Sequence, residues 1–191
     1  MNNLKNYILQ LDHWIPKNLL DNYIKELSKN KTWERHTYTN NRTFENESKN
    51  KDKELDICFL NNSLNLKELN KLIWKALEKY IVIEKIGGKE FSGWNGFSAI
   101  RFNRYKKNQI MSKHWDSITS LFEGEKKGIP ILSIVGVLND DYEGGEFIMF
   151  DNYEIKFKPG DIIIFPSTFL YPHLVKPVKK GIRYSFVSWS W

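Results

Sequence analysis

The chain has 191 residues, with 29 Lys and Arg against 23 Asp and Glu, a formal net charge of +6, and 41% hydrophobic and 15% aromatic residues. That length buries one good core and argues against a second independent domain, and the aromatic content excludes a disordered chain. The excess positive charge is modest and scattered, so compositional bias explains it as readily as a nucleic-acid surface does.

Met1 to Trp14 contains no long apolar stretch and no cleavage-site pattern, and no segment approaches a membrane span in length. Cys58 is the only cysteine, which rules out a disulfide within the chain and fits a reducing compartment. A cytoplasmic protein with no membrane partner is therefore expected. Asn6 to Leu11 alternates like a strand, and Pro16 then opens an amphipathic helix with Leu19, Leu20, Tyr23, Ile24 and Leu27 on its apolar face. Trp33 to Tyr38 reads as a strand. Thr39 to Lys53 is polar and asparagine-rich and reads as a mobile loop, with the charge run Lys49 to Glu54 solvated.

A second helix is predicted from Asn65 to Tyr80, with Leu66, Leu69, Leu72, Ile73, Ala76, Leu77 and Tyr80 at helical spacing. Both helical stripes read as packing surfaces against a sheet. From Phe97 onward short strands dominate: Phe97–Tyr105, Pro130–Leu138, Glu146–Phe150, Glu154–Phe157, Asp161–Phe165 and Ile182–Trp189. Gly, Pro and Asp turns separate them, and Gly144-Gly145 and Pro159-Gly160-Asp161 are read as turn chemistry alone. No alternating helices follow Tyr80, so a parallel doubly wound sheet is excluded and a jelly roll expected. The fold class is mainly β with N-terminal helices (α+β), one domain over residues 1–191. Within it, 1–96 supplies helical support and flanking strands, and 97–191 the jelly-roll core.

The chemistry-bearing residues fall in that core. Residues i and i+2 of a strand point to one side, so His114 and Asp116 can reach one metal together, with His173 returning from another strand. His114 and Asp116 alone would serve equally well as a surface ion pair. Two imidazoles and one carboxylate on one face of an octahedron leave three positions open, which is a catalytic rather than a structural arrangement. Ten positions after His173 comes Arg183, with Ser185 two beyond it. A guanidinium fork fits a carboxylate bidentately and a hydroxyl adds a bond, so the same pocket can hold a metal and an acidic ligand. Ser185 could instead satisfy a neighbouring backbone group, and Tyr105 could be a barrel-filling aromatic. His13 and His36 read as packed or surface residues. Lys113, Trp115 and Trp189 are equally open to substrate contact and barrel packing.

In order along the chain these pieces are Arg104-Tyr105, His114-Trp115-Asp116, Ile134 to Asn139, Gly144-Gly145-Glu146, Pro159-Gly160-Asp161, Pro172-His173 and Gly181-Ile182-Arg183-Tyr184-Ser185. The ordered set, from about Phe97 to Trp191, resembles the iron(II)- and 2-oxoglutarate-dependent oxygenases, specifically their prolyl-4-hydroxylase-like branch. The resemblance implies that His114, Asp116 and His173 bind Fe(II) and act in catalysis, and that Arg183 binds the distal carboxylate of 2-oxoglutarate with Ser185 and Tyr105 in the same pocket. It also implies O2 as co-substrate, with ascorbate an admissible auxiliary reductant. The reaction implied is hydroxylation of an unactivated C–H bond, with succinate and carbon dioxide released. The substrate it favours is a prolyl or other amino-acid side chain, in a peptide or protein or as a free amino acid.

Many relatives carry a tyrosine just before the Leu-Asn pair, where this chain has Gly136 and Val137. A co-substrate hydrogen bond from that position is absent or supplied elsewhere. AlkB-like nucleobase demethylases usually carry a second arginine six residues after the first. Here that residue is Trp189, which disfavours a nucleic-acid substrate. A non-catalytic jelly-roll binding module has little need for the full ligand set, and a cupin without an acidic co-substrate has no evident use for Arg183 and Ser185. Substrate-binding loops are expected at Thr39–Lys53 and Leu121–Gly128.

Overall fold

Six consecutive buried residues make up Leu132–Val137, a pattern that only a strand covered on both faces can adopt. The computed structural model describes residues 3–39, 46–47, 53–60, 63–86, 88–89, 91, 96–116 and 130–191. The expected loop Leu121–Gly128 lies outside them. Among the described residues the N-terminal half holds β1 (Leu9–Leu11), α1 (Lys17–Lys29), β2 (Glu34–Arg35), β3 (Tyr38–Thr39), β4 (Asn46–Glu47), β5 (Asp56–Cys58) and α2 (Leu66–Glu78). The C-terminal half holds β6 (Arg101–Tyr105), β7 (Met111–His114), β8 (Leu132–Val137), β9 (Glu143–Gly144) and β10 (Phe147–Met149). It continues with β11 (Tyr153–Ile155), β12 (Ile162–Pro166), β13 (His173–Val175), β14 (Val178–Lys180) and β15 (Arg183–Ser190).

A major sheet runs β1-β12-β8-β15-β6-β5-β2 and a minor sheet runs β11-β10-β13-β7, all neighbours antiparallel. The molecule is mainly β with two supporting α-helices, as expected, and the two sheets form the jelly roll. The alternation of side chains along the major sheet divides the core in two. Ile134, Ile162, Ile164, Phe102 and Phe186 pack outward against Leu19, Leu20, Tyr23 and Leu27 of α1 and Leu69, Ile73, Ala76 and Leu77 of α2. Val135, Ile163, Phe165, Tyr105 and Val187 pack inward against Phe147, Met149 and Val175 of the minor sheet. The helices cover one face of the major sheet and the minor sheet covers the other. Both predicted helical stripes are thus packing surfaces. Among the described residues no helix is long and apolar enough to cross a membrane.

Turn chemistry ties the N-terminus to this frame. Asp161 is fully buried because its carboxylate accepts from the backbone N–H groups of His13 (2.8 Å) and Lys158 (2.8 Å). Asn139 spans the end of β8 and the start of β15. Its Nδ2 donates to the Ile182 carbonyl (2.7 Å), and its Oδ1 accepts from the Tyr184 N–H (2.7 Å).

Three expectations in the N-terminal half need correction. The strand read from Asn6 to Leu11 begins only at Leu9, since Asn6 and Tyr7 belong to a 3-10 turn over Leu4–Tyr7 that Asn3 caps through the Lys5 N–H. The segment read as a loop from Thr39 contains the paired strands β3 and β4, with Tyr38 opposite Glu47. Glu54, at the end of the run read as solvated, is fully buried. Its carboxylate accepts from Ser112 Oγ (2.5 Å) and from the Tyr38 hydroxyl (3.1 Å), so the charge is satisfied inside.

Gly136 has a steric role that its neighbours explain. A Cβ placed there would meet Cε1 and Cζ of the Phe186 ring at 2.2 and 2.4 Å, and that ring is fully buried. Gly136→Ala is expected to destabilise the protein by about 1–3 kcal/mol through overpacking. Chemical denaturation should show the loss, and trimming the ring with Phe186→Leu in the same chain should recover part of it.

Candidate active site

The space between the two sheets is where the predicted site residues meet. His114 closes β7, and its neighbour across the ladder is His173, the first residue of β13. Their imidazole centroids lie 4.3 Å apart. Asp116 follows just past the end of β7, so the strand itself stops at His114 instead of running through Asp116. Trp115 between them is half exposed while both flanking residues are buried, which keeps the alternation even without the ladder. Asp116 Oδ1 sits 3.4 Å from His114 Nε2, and Oδ2 sits 3.7 Å from His173 Nε2. One donor atom from each of the three residues falls within 4.8 Å of the others. Ligands in adjacent octahedral positions about 2.1 Å from an ion lie about 3 Å apart, so a small contraction would bring all three onto one cation.

The surroundings set how each of these side chains is presented. His114 Nδ1 donates to the Ser112 carbonyl (2.7 Å) and His173 Nδ1 to the Tyr171 carbonyl (3.0 Å). Each bond holds the proton on Nδ1 and turns the Nε2 lone pair inward. Phe147 stacks on His173 and Phe165 meets its edge, while Tyr38 meets the edge of His114. Burial pushes the His173 imidazole down to about 4, and nearby His114 adds to the effect while Asp116 opposes it. Burial works against the ionised Asp116, but the neighbouring imidazoles and the Ser133 hydroxyl outweigh it and hold the carboxyl well below the usual range. At neutral pH His173 is therefore a neutral imidazole and Asp116 an ionised carboxylate, forms that bind a metal.

Ser133 was not anticipated. Its hydroxyl donates to Asp116 Oδ2 at 2.6 Å and contacts Ser167 Oγ at 2.8 Å. A polar residue that interrupts the apolar run of β8 was the one available signal. Ser133→Ala is expected to weaken ferrous-iron affinity by roughly tenfold or more while leaving the fold intact. Equilibrium titration of the purified variant against the parent checks this.

Across the cavity stands the second half of the site. Arg183 opens β15 opposite Tyr105 of β6, and it is 1% exposed. One Nη donates to Ser185 Oγ at 3.0 Å, and the guanidinium lies over the Tyr105 ring at 5.0 Å. Its Nε has no hydrogen-bond partner, and no acidic side chain among the described residues pairs with it. A buried guanidinium without a counter-charge costs several kcal/mol, and an acidic ligand would remove that cost. Gly145, read as turn chemistry, also shapes this end: a Cβ there would meet Arg183 Cδ at 3.0 Å.

Arg183, Ser185, Tyr105, His114, Asp116 and His173 all line one cavity, and Arg101, Asn103, Met111, Val135, Phe147, Val175 and Val187 complete its wall. The structure thus brings all six predicted site residues together. A metal held by three ligands and a carboxylate held by Arg183 can occupy it end to end. Val137, where many relatives of the expected family carry tyrosine, is fully buried opposite Ser185. In that region Tyr105 is the aromatic hydroxyl that faces the cavity. Lys113 pairs with exposed Asp151 at 3.0 Å, and His36 is buried against Tyr38.

Residues 100–191 match the family model described as the 2OG-Fe(II) oxygenase superfamily. A PKHD-type hydroxylase of Xylella fastidiosa (strain M12) is 39% identical over 99 residues, covering 47% of this chain and 42% of that protein. Another from Aliarcobacter butzleri (strain RM4018) is 35% identical over 96 residues, covering 47% and 41%. The match thus spans less than half the length of these relatives.

Among solved structures, a Pseudomonas putida prolyl-4-hydroxylase superposes with a TM-score of 0.69 at 18% identity, over 96% of this chain and 91% of that one. A Trichoplax adhaerens prolyl hydroxylase, in complex with a hypoxia inducible factor oxygen degradation domain peptide fragment, gives 0.73 at 16% identity, over 97% and 84%. At such identities the likeness is one of fold.

Proposed function

Because residues 100–191 match the family model of the 2OG-Fe(II) oxygenase superfamily, we propose that this chain is an iron(II)- and 2-oxoglutarate-dependent hydroxylase of an amino-acid side chain. Its substrate class is a prolyl or other side chain in a peptide or protein, or a free amino acid. The observation that carries the reading is the buried, unpaired Arg183 facing the same cavity as the His114, Asp116 and His173 cluster. A binding module or a cupin without an acidic co-substrate leaves that guanidinium unexplained.

When bound, ferrous iron with 2-oxoglutarate and O2 supplies the oxidising power to hydroxylate an unactivated C–H bond, with succinate and carbon dioxide released. The chain's own residues do the rest. His114 and His173 present Nε2 atoms whose direction their carbonyl partners set, and Asp116 presents a carboxylate steadied by Ser133. Arg183 and Ser185 would take the distal carboxylate of the co-substrate, with Tyr105 beneath the guanidinium. Val135, Phe147, Val175 and Val187 keep water from the reacting centre.

We further propose a single domain over residues 1–191 working in the cytoplasm, where the lone Cys58, buried and with its thiol pushed up to about 11 by that burial, stays reduced. A nucleic-acid substrate is disfavoured, since Trp189 stands where a second arginine would serve one. Aerobic incubation with ferrous iron, 2-oxoglutarate and a panel of proline-containing peptides and free amino acids tests the function. One added oxygen atom per substrate, matched by equal succinate, supports it. Neither product from a folded, iron-loaded protein would refute it.

A further inference from the structure

The reading above leaves one charge in the cavity without a task. Arg101, Asn103 and Tyr105 share a face of β6, opposite Val187, Ser185 and Arg183 of β15. This forms a ladder across the cavity wall. Arg183 marks one end, and Arg101 marks the other, about 13 Å away along the strand. Trp189, one step beyond Val187, stands opposite Ser133, the residue that holds Asp116. Arg101 therefore belongs to the end of the cavity that carries the metal ligand.

Its side chain is fixed there. Arg101 Nε donates to Asn103 Oδ1 at 3.2 Å, and the guanidinium lies over the Trp189 ring at 5.0 Å. Those two contacts orient the fork and leave both Nη groups without a partner among the described residues. No ion pair joins Arg101 to Asp116 or to any other described acid. A half-buried guanidinium held on an aromatic face, with its outer edge unspent, is a carboxylate receptor by geometry.

Charge balance points the same way. A ferrous ion, the Asp116 carboxylate, a dicarboxylate co-substrate and the Arg183 guanidinium together carry no net charge. Arg101 then adds one positive charge, which the Asp116 carboxylate eases from a distance but which no described acid pairs with directly. An internal residue of a peptide brings only neutral amides to that position. We infer that Arg101 anchors the α-carboxylate of a free amino acid, which makes a free amino acid, and not an internal peptide residue, the substrate. This inference rests on the oxygenase reading and narrows its substrate class.

The test uses the full chain loaded anaerobically with ferrous iron and 2-oxoglutarate, so that binding is read without turnover. The probes are the common L-amino acids and the C-terminal amide of each, scored by heat of binding. At least one free acid should bind, and its amide should bind at least about tenfold more weakly. Arg101→Gln should lose that acid by a similar factor, and Arg101→Lys should recover part of it. Both variants should keep the parent's visible iron-to-2-oxoglutarate charge-transfer band and thermal midpoint.

Acids and amides that bind alike, or no acid that binds, would overturn the assignment while a band in the parent left the oxygenase reading standing. Loss of the band in Arg101→Gln would overturn it too, by placing Arg101 on the co-substrate. Absence of the band in the parent protein would instead remove the oxygenase reading itself.

Discussion

Asp116→Ala is expected to abolish turnover and to remove ferrous-iron binding at micromolar metal, while the protein stays folded. Asp116 is the only anionic member of the cluster, and it bridges the two imidazoles at 3.4 and 3.7 Å. Without it, two neutral nitrogens remain, and they hold ferrous iron weakly. The fold tolerates the change because the carboxylate lies past the last ladder position of β7, and Ser133 keeps Ser167 as a partner. Asp116→Asn, which preserves shape and removes charge, should fail nearly as badly. Metal retention measured after gel filtration, beside succinate release, checks both variants. Normal turnover from Asp116→Ala would overturn the metal assignment.

Arg183→Met is expected to raise the 2-oxoglutarate requirement by at least about 30-fold, the usual penalty for truncating one partner of a buried, hydrogen-bonded charge pair. Its effect on stability should run the opposite way. In the free protein the Arg183 guanidinium is buried with Nε unpartnered, so an apolar side chain of similar length should leave the thermal midpoint unchanged or raise it. Loss of a purely structural arginine would lower the thermal midpoint along with co-substrate affinity. Arg183→Lys should not restore co-substrate affinity, because a point ammonium cannot reproduce the planar fork beside Ser185 and Tyr105. Midpoints and half-saturating 2-oxoglutarate concentrations for the three proteins separate these outcomes.

Much of the site was legible because its chemistry constrains residue type and spacing together. His114, Asp116 and His173 read as one cluster since a carboxylate two residues from a histidine shares its face, and the ladder then sets His173 directly opposite His114. Arg183 and Ser185 were legible for the same period-two reason.

What escaped depends on tertiary neighbours. Ser133 and Gly145 are ordinary residues in sequence, and only packing sets one against Asp116 and the other against Arg183. Arg101 lay inside a predicted strand, but its role follows from having Trp189 beneath it and no described acid within ion-pair distance. The two helices were clear from long apolar stripes, which α1 and α2 carry over more than three turns. The two- and three-residue strands β2 to β5 carry no such period. They form because β6 offers an edge to β5, β5 in turn offers one to β2, and β3 and β4 pair with each other. Glu54 illustrates the limit: a charge within a charged run is buried because Tyr38 and Ser112 arrive from elsewhere to bond it.

The most direct measurement is an anaerobic titration of the purified chain with ferrous iron and 2-oxoglutarate, followed in the visible range, with His114→Ala in parallel. The account predicts a charge-transfer band that requires both additions and is missing from the variant. A folded parent protein that shows no band with both present would contradict a shared iron and co-substrate site.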